Sequence, residues 1–132
     1  MARWEIKNVG MKGVAMAVPK NVVTTSELGL LSQEEAEVFD NTVGIKRRHI
    51  APDIMCASDM CQAAAEKLLT ELGWEKDSID VLLFESVTGD YRTPPTSCVL
   101  QDRLGLSENC FCMDIPMGCC GCMYAITVAG HL

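Results

Sequence analysis

The sequence predicts an α/β fold with a mostly parallel sheet, and three observations carry that expectation. Two apolar runs, Ile79–Phe84 and Cys110–Ile115, lack the polar alternation of a half-solvated strand and suit strands buried on both faces. Segments with apolar residues at three- and four-residue spacing read as helices. The two kinds of segment alternate along the chain, the pattern of a layered fold with parallel pairing.

The elements follow in order. Ile6 to Val18 reads as an extended segment broken by Gly10 and Gly13 and ended by Pro19. Thr24-Thr25-Ser26 offers N-cap oxygens to a short helix, and Ser32 with Glu35 fits the capping box of another, closed by Asn41 to Gly44. The clearest helix runs from Ala57 or Ser58 to Leu72. Cys61, Ala64, Ala65, Leu68, Leu69 and Leu72 form its apolar stripe, and Gly73 is its stop. A turn through Lys76-Asp77-Ser78 leads into the first apolar run. The pair Pro94-Pro95 then precedes a helix from Thr96 to Leu104, ended by Gly105. After the second run, Pro116-Met117-Gly118 cannot continue a central strand, and Cys119 to Ala129 should be helical. No internal repeat or linker interrupts the 132 residues, so a single domain is expected.

Composition narrows the function. The net charge of −7 argues against nucleic acid as the main partner, because phosphate binding needs a basic surface. It leaves an acidic protein partner open. Lys46-Arg47-Arg48, Arg92 and Arg103 read individually as solvated side chains. No apolar run is long enough to span a bilayer, and Met1-Ala2-Arg3-Trp4-Glu5 lacks the long apolar segment of a secretory signal. Membrane insertion is therefore not expected, and the cytoplasm is the default location.

The eight cysteines need a chemical account. In the cytoplasm they are expected as thiols, metal ligands or catalytic groups rather than a disulfide framework. Cys56, Cys61, Cys98, Cys110 and Cys112 lie in helices or in and beside apolar stretches, and read as small core residues. Cys119 is different. It follows a strand and a glycine-containing turn and opens a helix, where the helix N-terminus favours a thiolate. The turn lifts the thiol toward the crevice at the strand ends, where α/β proteins bind ligands. Amides of the first helical turn are placed to stabilise an oxyanion, and Gly121 lets a substrate or another backbone approach closely. This arrangement suits an acyl-accepting cysteine. Two rivals stay open: a metal site built from Cys110, Cys112, Cys119 and Cys122, and a redox pair in the C-x-x-C of Cys119 and Cys122.

The segment Asp114-Ile-Pro-Met-Gly-Cys119-Cys-Gly121-Cys-Met-Tyr124 resembles the nucleophile motif of the β-ketoacyl-acyl-carrier-protein synthase III family. There an aspartate stands five positions before the active cysteine, a glycine two after it and a tyrosine five after it, a register that selects Cys119. Val43-Gly44-Ile45-Lys46-Arg47-Arg48-His49-Ile50-Ala51 resembles a second family signature, and Ala57-Ser58-Asp59-Met60 begins the helix expected after it. Asp90-Tyr91-Arg92 through Pro95, Gln101, Leu104 and Gly105 resembles the family's dimer-interface segment, which ends near the acyl pocket. The resemblance runs from Ile6 to the last residue.

The resemblance implies the N-terminal part of a thiolase-like fold over residues 1–132, an incomplete first βαβαβαββ unit with the C-terminal half absent. It implies an acyltransferase of fatty-acid or related acyl-chain biosynthesis. Cys119 would take an acyl group from a coenzyme A or carrier-protein thioester, and a decarboxylating malonyl-carrier-protein carbanion would then attack the acyl-enzyme. Arg48, Pro95 and Gly121 are the substrate-binding candidates. No metal or cofactor is implied; the expected partners are acyl-carrier protein and a second copy of the chain. Val38 and Thr42 stand where the family often has a tryptophan and a basic residue for coenzyme A, which favours a carrier-protein donor. Cys120 and Cys122 replace small or aromatic residues. The assisting histidine and asparagine of the family belong to its second half, so the chain is expected to be inactive in condensation, to expose apolar surface and to self-associate. A non-catalytic interaction fragment is the further alternative.

Overall fold

The computed structural model describes residues 5–132. They form two compact units: the described residues up to Ala17 together with Ala57–Leu132, and Val18–Cys56.

The larger unit contains the parallel sheet. Strands β3 (Val81–Glu85) and β4 (Phe111–Ile115) pair in parallel, in register from Val81 opposite Phe111 to Glu85 opposite Ile115. Helix α2 (Ala57–Leu72) and a 3-10 turn (Lys76–Ser78) precede β3. Helix α3 (Thr96–Leu104) makes the crossover that parallel pairing requires, and α4 (Gly121–Ala129) follows β4. Strand side chains alternate between faces. Leu82 and its partner Cys112 therefore share a face, and both pack on the core of Leu104, Leu106 and Cys110 with Ala65, Leu69 and Ile79. The opposite face carries Leu83, Met113, Glu85 and Ile115, and α4 packs on the sheet there.

Glycine ends two of these helices for a stated backbone reason. Gly73 and Gly105 have φ of 63° and 64°, and the next residues reach back, Trp74 N–H to the Leu69 carbonyl and Leu106 N–H to that of Gln101, both at 3.0 Å. This is the closure that needs a left-handed residue after the last turn.

Several sequence expectations change. Strands β3 and β4 each have one paired edge only, so just Phe84 and Ile115 are buried and Phe111 is exposed. The stretch from Ile6 to Val18 joins no strand ladder. Part of it lies on α2, where a Cβ added at Gly13 would come within 2.9 Å of the Leu68 side chain. The core reading of the cysteines holds for Cys110, which is buried, and in part for Cys112. Cys56, Cys61 and Cys98 are exposed. In α3 the buried residues are Thr96, Ser97, Leu100 and Leu104, a stripe at helical spacing that leaves Cys98 on the other side.

The smaller unit, described by itself, pairs β1 (Val22–Thr24) antiparallel with β2 (Arg47–His49) and carries α1 (Gln33–Val43) between them. The capping box forms as expected: Ser32 Oγ accepts from Glu35 N–H at 3.3 Å, and Glu35 accepts from Ser32 N–H at 2.9 Å. Thr24-Thr25-Ser26 starts no helix. Thr24 ends β1, and its N–H and hydroxyl both donate to Glu27 at 2.7 and 2.8 Å, which closes a turn.

Candidate active site

Cys119 lies in the turn between β4 and α4. Gly121 N–H donates to the Gly118 carbonyl at 2.8 Å, folding the chain back on itself around the cysteine. The helix begins at Gly121 with Cys120 as its N-cap, two residues later than the sequence suggested. Cys119 is an exposed free thiol, as are Cys120 and Cys122.

Of the two glycines in this turn, only Gly121 is required by contacts. A Cβ at Gly118 would touch Val87 at 4.0 Å, which is ordinary packing. A Cβ at Gly121 would collide with the Glu85 side chain, both its carboxyl group and its Cγ. The chain leaving β3 thus runs beside the turn on both sides of Cys119, with Val87 at residue 118 and Glu85 at residue 121. Gly121 is needed because a carboxylate occupies the space of its missing side chain.

The other face of β4 fixes α3. Thr96 and Ser97 open that helix fully buried, and Pro95, its N-cap, makes no side-chain cap bond. The Asp114 carboxylate supplies the cap instead: Oδ2 accepts from Thr96 N–H at 2.7 Å and Oδ1 from Ser97 N–H at 2.8 Å. These charge-assisted bonds satisfy two of the helix's orphan donors. An open cavity of about 510 Å³ lies at the carboxyl ends of the two strands, lined by Ser86, Val87, Asp90, Pro95, Asp114 and Pro116 among others. Asp90 accepts from the buried Ser58 hydroxyl, which in turn accepts from Arg103 at 3.0 Å.

Comparison with known proteins agrees with this geometry. No protein-family model matches the chain. It is 37% identical over 119 residues, 90% of its length, to the β-ketoacyl-[acyl-carrier-protein] synthase III of Ehrlichia canis. It is also 37% identical over 122 residues, 92% of its length, to that of Geobacillus kaustophilus. A crystal structure of 3-oxoacyl-(acyl-carrier protein) synthase from Burkholderia xenovorans superposes with a TM-score of 0.86 at 37% identity, over 91% of this chain and 35% of that one. The chain belongs to the β-ketoacyl-[acyl-carrier-protein] synthase III family. It spans 37% and 39% of the lengths of the two relatives, and its α/β architecture matches part of the thiolase-like fold.

Within the family frame, the structure places Cys119, Gly121 and Pro95 in the larger unit, at the ends of β3 and β4. Arg48 lies in the smaller unit. There its guanidinium donates to Thr25 Oγ at 2.8 Å and sits 5.3 Å from the centre of the Phe39 ring, while Thr25 donates to Asp40. Its observed work is to join β2, the turn and α1. The four cysteines of the metal alternative are not brought together: among the described residues no three or more His, Cys, Asp or Glu side chains are arranged to hold a metal ion. The reason is the strand period. Cys110 and Cys112 belong to the α2–α3 side of the sheet, whereas Cys119 and Cys122 lie exposed beyond its end. Burial pushes the Cys110 thiol up and the Cys112 thiol up to about 11. His131 stands past the far end of α4, its Nδ1 2.7 Å from the Thr127 carbonyl. At 1.5 Å rise per residue it is about 15 Å along the axis from Gly121, too far to serve Cys119.

Sequence reasoning missed two residues of this site. Asp114 entered only as a motif position, although an acid on the inward face of an apolar strand signals a cap for something nearby. Glu85 ends an otherwise apolar strand, and that break in pattern was its only sign.

Proposed function

We propose that this chain is the nucleophile-bearing portion of a 3-oxoacyl-[acyl-carrier-protein] synthase III-type acyltransferase, and that Cys119 is the acyl acceptor. The Cys119 sulfur attacks the carbonyl carbon of an acyl thioester, the donor's carbon–sulfur bond breaks, and the donor leaves as a thiol with the proton. The observation that carries this reading is the position of Cys119: an exposed thiol in a strand–turn–helix junction, within a region 37% identical to named synthases. The cavity beside Pro95 is proposed as the approach of the acyl chain or its carrier arm, and Gly121, buried against Glu85, is proposed to serve the turn rather than to contact substrate. Arg48 is proposed to act on substrate only through the architecture it supports.

The donor is proposed to be an acyl-carrier protein or coenzyme A thioester, with no metal or cofactor taking part. The exposed residues Phe111, Tyr124 and Ile126 offer an apolar surface for a second copy. The cytoplasm, where such thioesters are made, is the proposed setting, and no helix among the described residues is long and apolar enough to cross a membrane. With no histidine beside Cys119 in its unit, these residues are expected to stop at the acyl-enzyme, and decarboxylative condensation with malonyl-carrier protein is assigned to the complete synthase.

Intact-protein mass spectrometry after incubation with acetyl- and longer acyl-thioesters tests the assignment. One acyl increment, absent in Cys119→Ala, is expected. An increment that survives that substitution, or none in a folded protein, refutes it.

A further inference from the structure

Cys119 has thiol neighbours that its proposed chemistry does not use. Cys119, Cys120 and Cys122 are all exposed and free. Backbone geometry decides which of them can meet. The Cα separation of Cys119 and Cys122 is set by the dihedrals of the two residues between them. Cys120 is in the right-handed helical region, with φ −89° and ψ −8°, and Gly121 is the first residue of α4. Two helical residues in succession bring the flanking Cα atoms to about 5 Å, from a rise of about 1.5 Å per step on a radius of about 2.3 Å. Disulfides take Cα separations of about 4.4–6.8 Å, so this pair is already within range. The other pairs fit less well. Cys119 and Cys120 are neighbours across a trans peptide, which holds their Cα atoms about 3.8 Å apart, below that range. Cys120 and Cys122, two positions apart at a helix start, do not face each other. Cys110 and Cys112 pack on the core of Leu104 and Leu106, on the α2–α3 side of the sheet.

We propose that Cys119 and Cys122 form an oxidation site: a peroxide oxidises Cys119, and Cys122 resolves the product as a disulfide. The inference rests on the reading of Cys119 as the acyl acceptor, because the disulfide takes that nucleophile out of use. The Cys119 thiolate attacks one oxygen of hydrogen peroxide, the O–O bond breaks and hydroxide leaves, which the thiol's own proton turns into water. Cys119 is then a sulfenic acid. The Cys122 sulfur attacks the Cys119 sulfur, the S–O bond breaks, and the second water leaves with the Cys122 proton. Two thiols are oxidised and one peroxide is reduced, giving one disulfide and two waters. A dithiol reductant reverses the disulfide, whereas a sulfenic acid left unresolved goes on to the sulfinic acid, which thiols do not reduce. Cys122 thereby preserves the acyl acceptor through oxidation.

The test uses the whole 132-residue chain, reduced and then treated with hydrogen peroxide. Intact mass is expected to fall by two hydrogens. After alkylation without reductant, fragmentation is expected to find Cys120 alkylated and Cys119 linked to Cys122. Acyl gain from acetyl-pantetheine should be lost on oxidation and return with dithiothreitol. In Cys122→Ser, acyl gain before peroxide should be unchanged, but peroxide should add oxygen at Cys119, and the loss of acyl gain should resist dithiothreitol. Cys120→Ser should behave as the parent chain. Oxygen gained by the parent chain without a disulfide overturns the inference and leaves the acyl reading standing. So does a disulfide lost in Cys120→Ser but kept in Cys122→Ser. A mapped Cys119–Cys122 disulfide in a chain that gains no acyl when reduced would instead support the pair and count against Cys119 as the acyl acceptor.

Discussion

Asp114→Ala is the substitution expected to damage the larger unit most for the fewest atoms removed. The carboxylate accepts from two backbone amides, those of Thr96 and Ser97, whose residues are 0% exposed. A hydrogen bond to a charged group is worth about 1.5–3 kcal/mol, and a stranded buried donor costs about 1–3 kcal/mol. Two such bonds give a loss of about 3–5 kcal/mol after partial relaxation, against the roughly 5–15 kcal/mol that holds a typical domain folded. Urea unfolding followed by circular dichroism measures it, with the midpoint falling and the slope unchanged. Asp114→Asn keeps one acceptor oxygen but presents an amide N–H₂ to the second donor, so it should recover less than half of the loss. If Asp114→Ala costs less than about 1 kcal/mol, the cap does not hold α3, and the account of how β4 positions the Cys119 turn fails with it.

Three further expectations can be checked with the same preparation. Gly121→Ala should cost about 1–3 kcal/mol, because a methyl group there overlaps Glu85, and Glu85→Ala should restore most of it in a double-mutant cycle by urea unfolding. In peptide mapping after brief iodoacetamide treatment near neutral pH, the exposed Cys119, Cys120 and Cys122 should be labelled well before Cys110 and Cys112. Because the folded Cys112 thiol is raised from 9.0 to about 11, the unfolded chain releases that proton first; stability should decline as pH rises from about 9 to about 11, and Cys112→Ala should flatten that decline.

The elements written most plainly in the sequence were those with a local cause. The capping box at Ser32 and Glu35, the glycine stops at Gly73 and Gly105, and the stripe of α2 all depend on residues within one or two turns of each other. The turn at Thr24 was misread because the same hydroxyls that cap a helix also close a turn when an acceptor such as Glu27 is in reach. Burial was misread where it depends on partners: an apolar run such as Val81–Glu85 shows that a strand could be covered, and only the sheet shows how many neighbours it has. The exposed turn position of Cys119 was legible because a glycine-containing break between strand and helix is itself a local signal. Asp114 and Glu85 act across 17 to 36 residues of chain, on Thr96, Ser97 and Gly121, and no short-range pattern carries that information.

Asp114 and Glu85 also explain together why the turn is where it is. They work on opposite faces of a two-stranded sheet: Asp114 ties β4 to the start of α3, and Glu85 fits β3 under the first residue of α4. Cys119 lies on the stretch that both fasten. Because the two contacts share no side chain, their stability effects should add within about 0.5 kcal/mol when Asp114→Ala and Gly121→Ala are combined. Their effects on the cysteine should not add, since either change alone already frees one end of the turn. The acylation rate of Cys119 in the double variant should therefore match the slower single variant rather than the product of the two losses. Acylation losses that multiply would mean that the two faces contribute separately, and that the turn is held by its own backbone, through the Gly118 to Gly121 bond, more than by its supports.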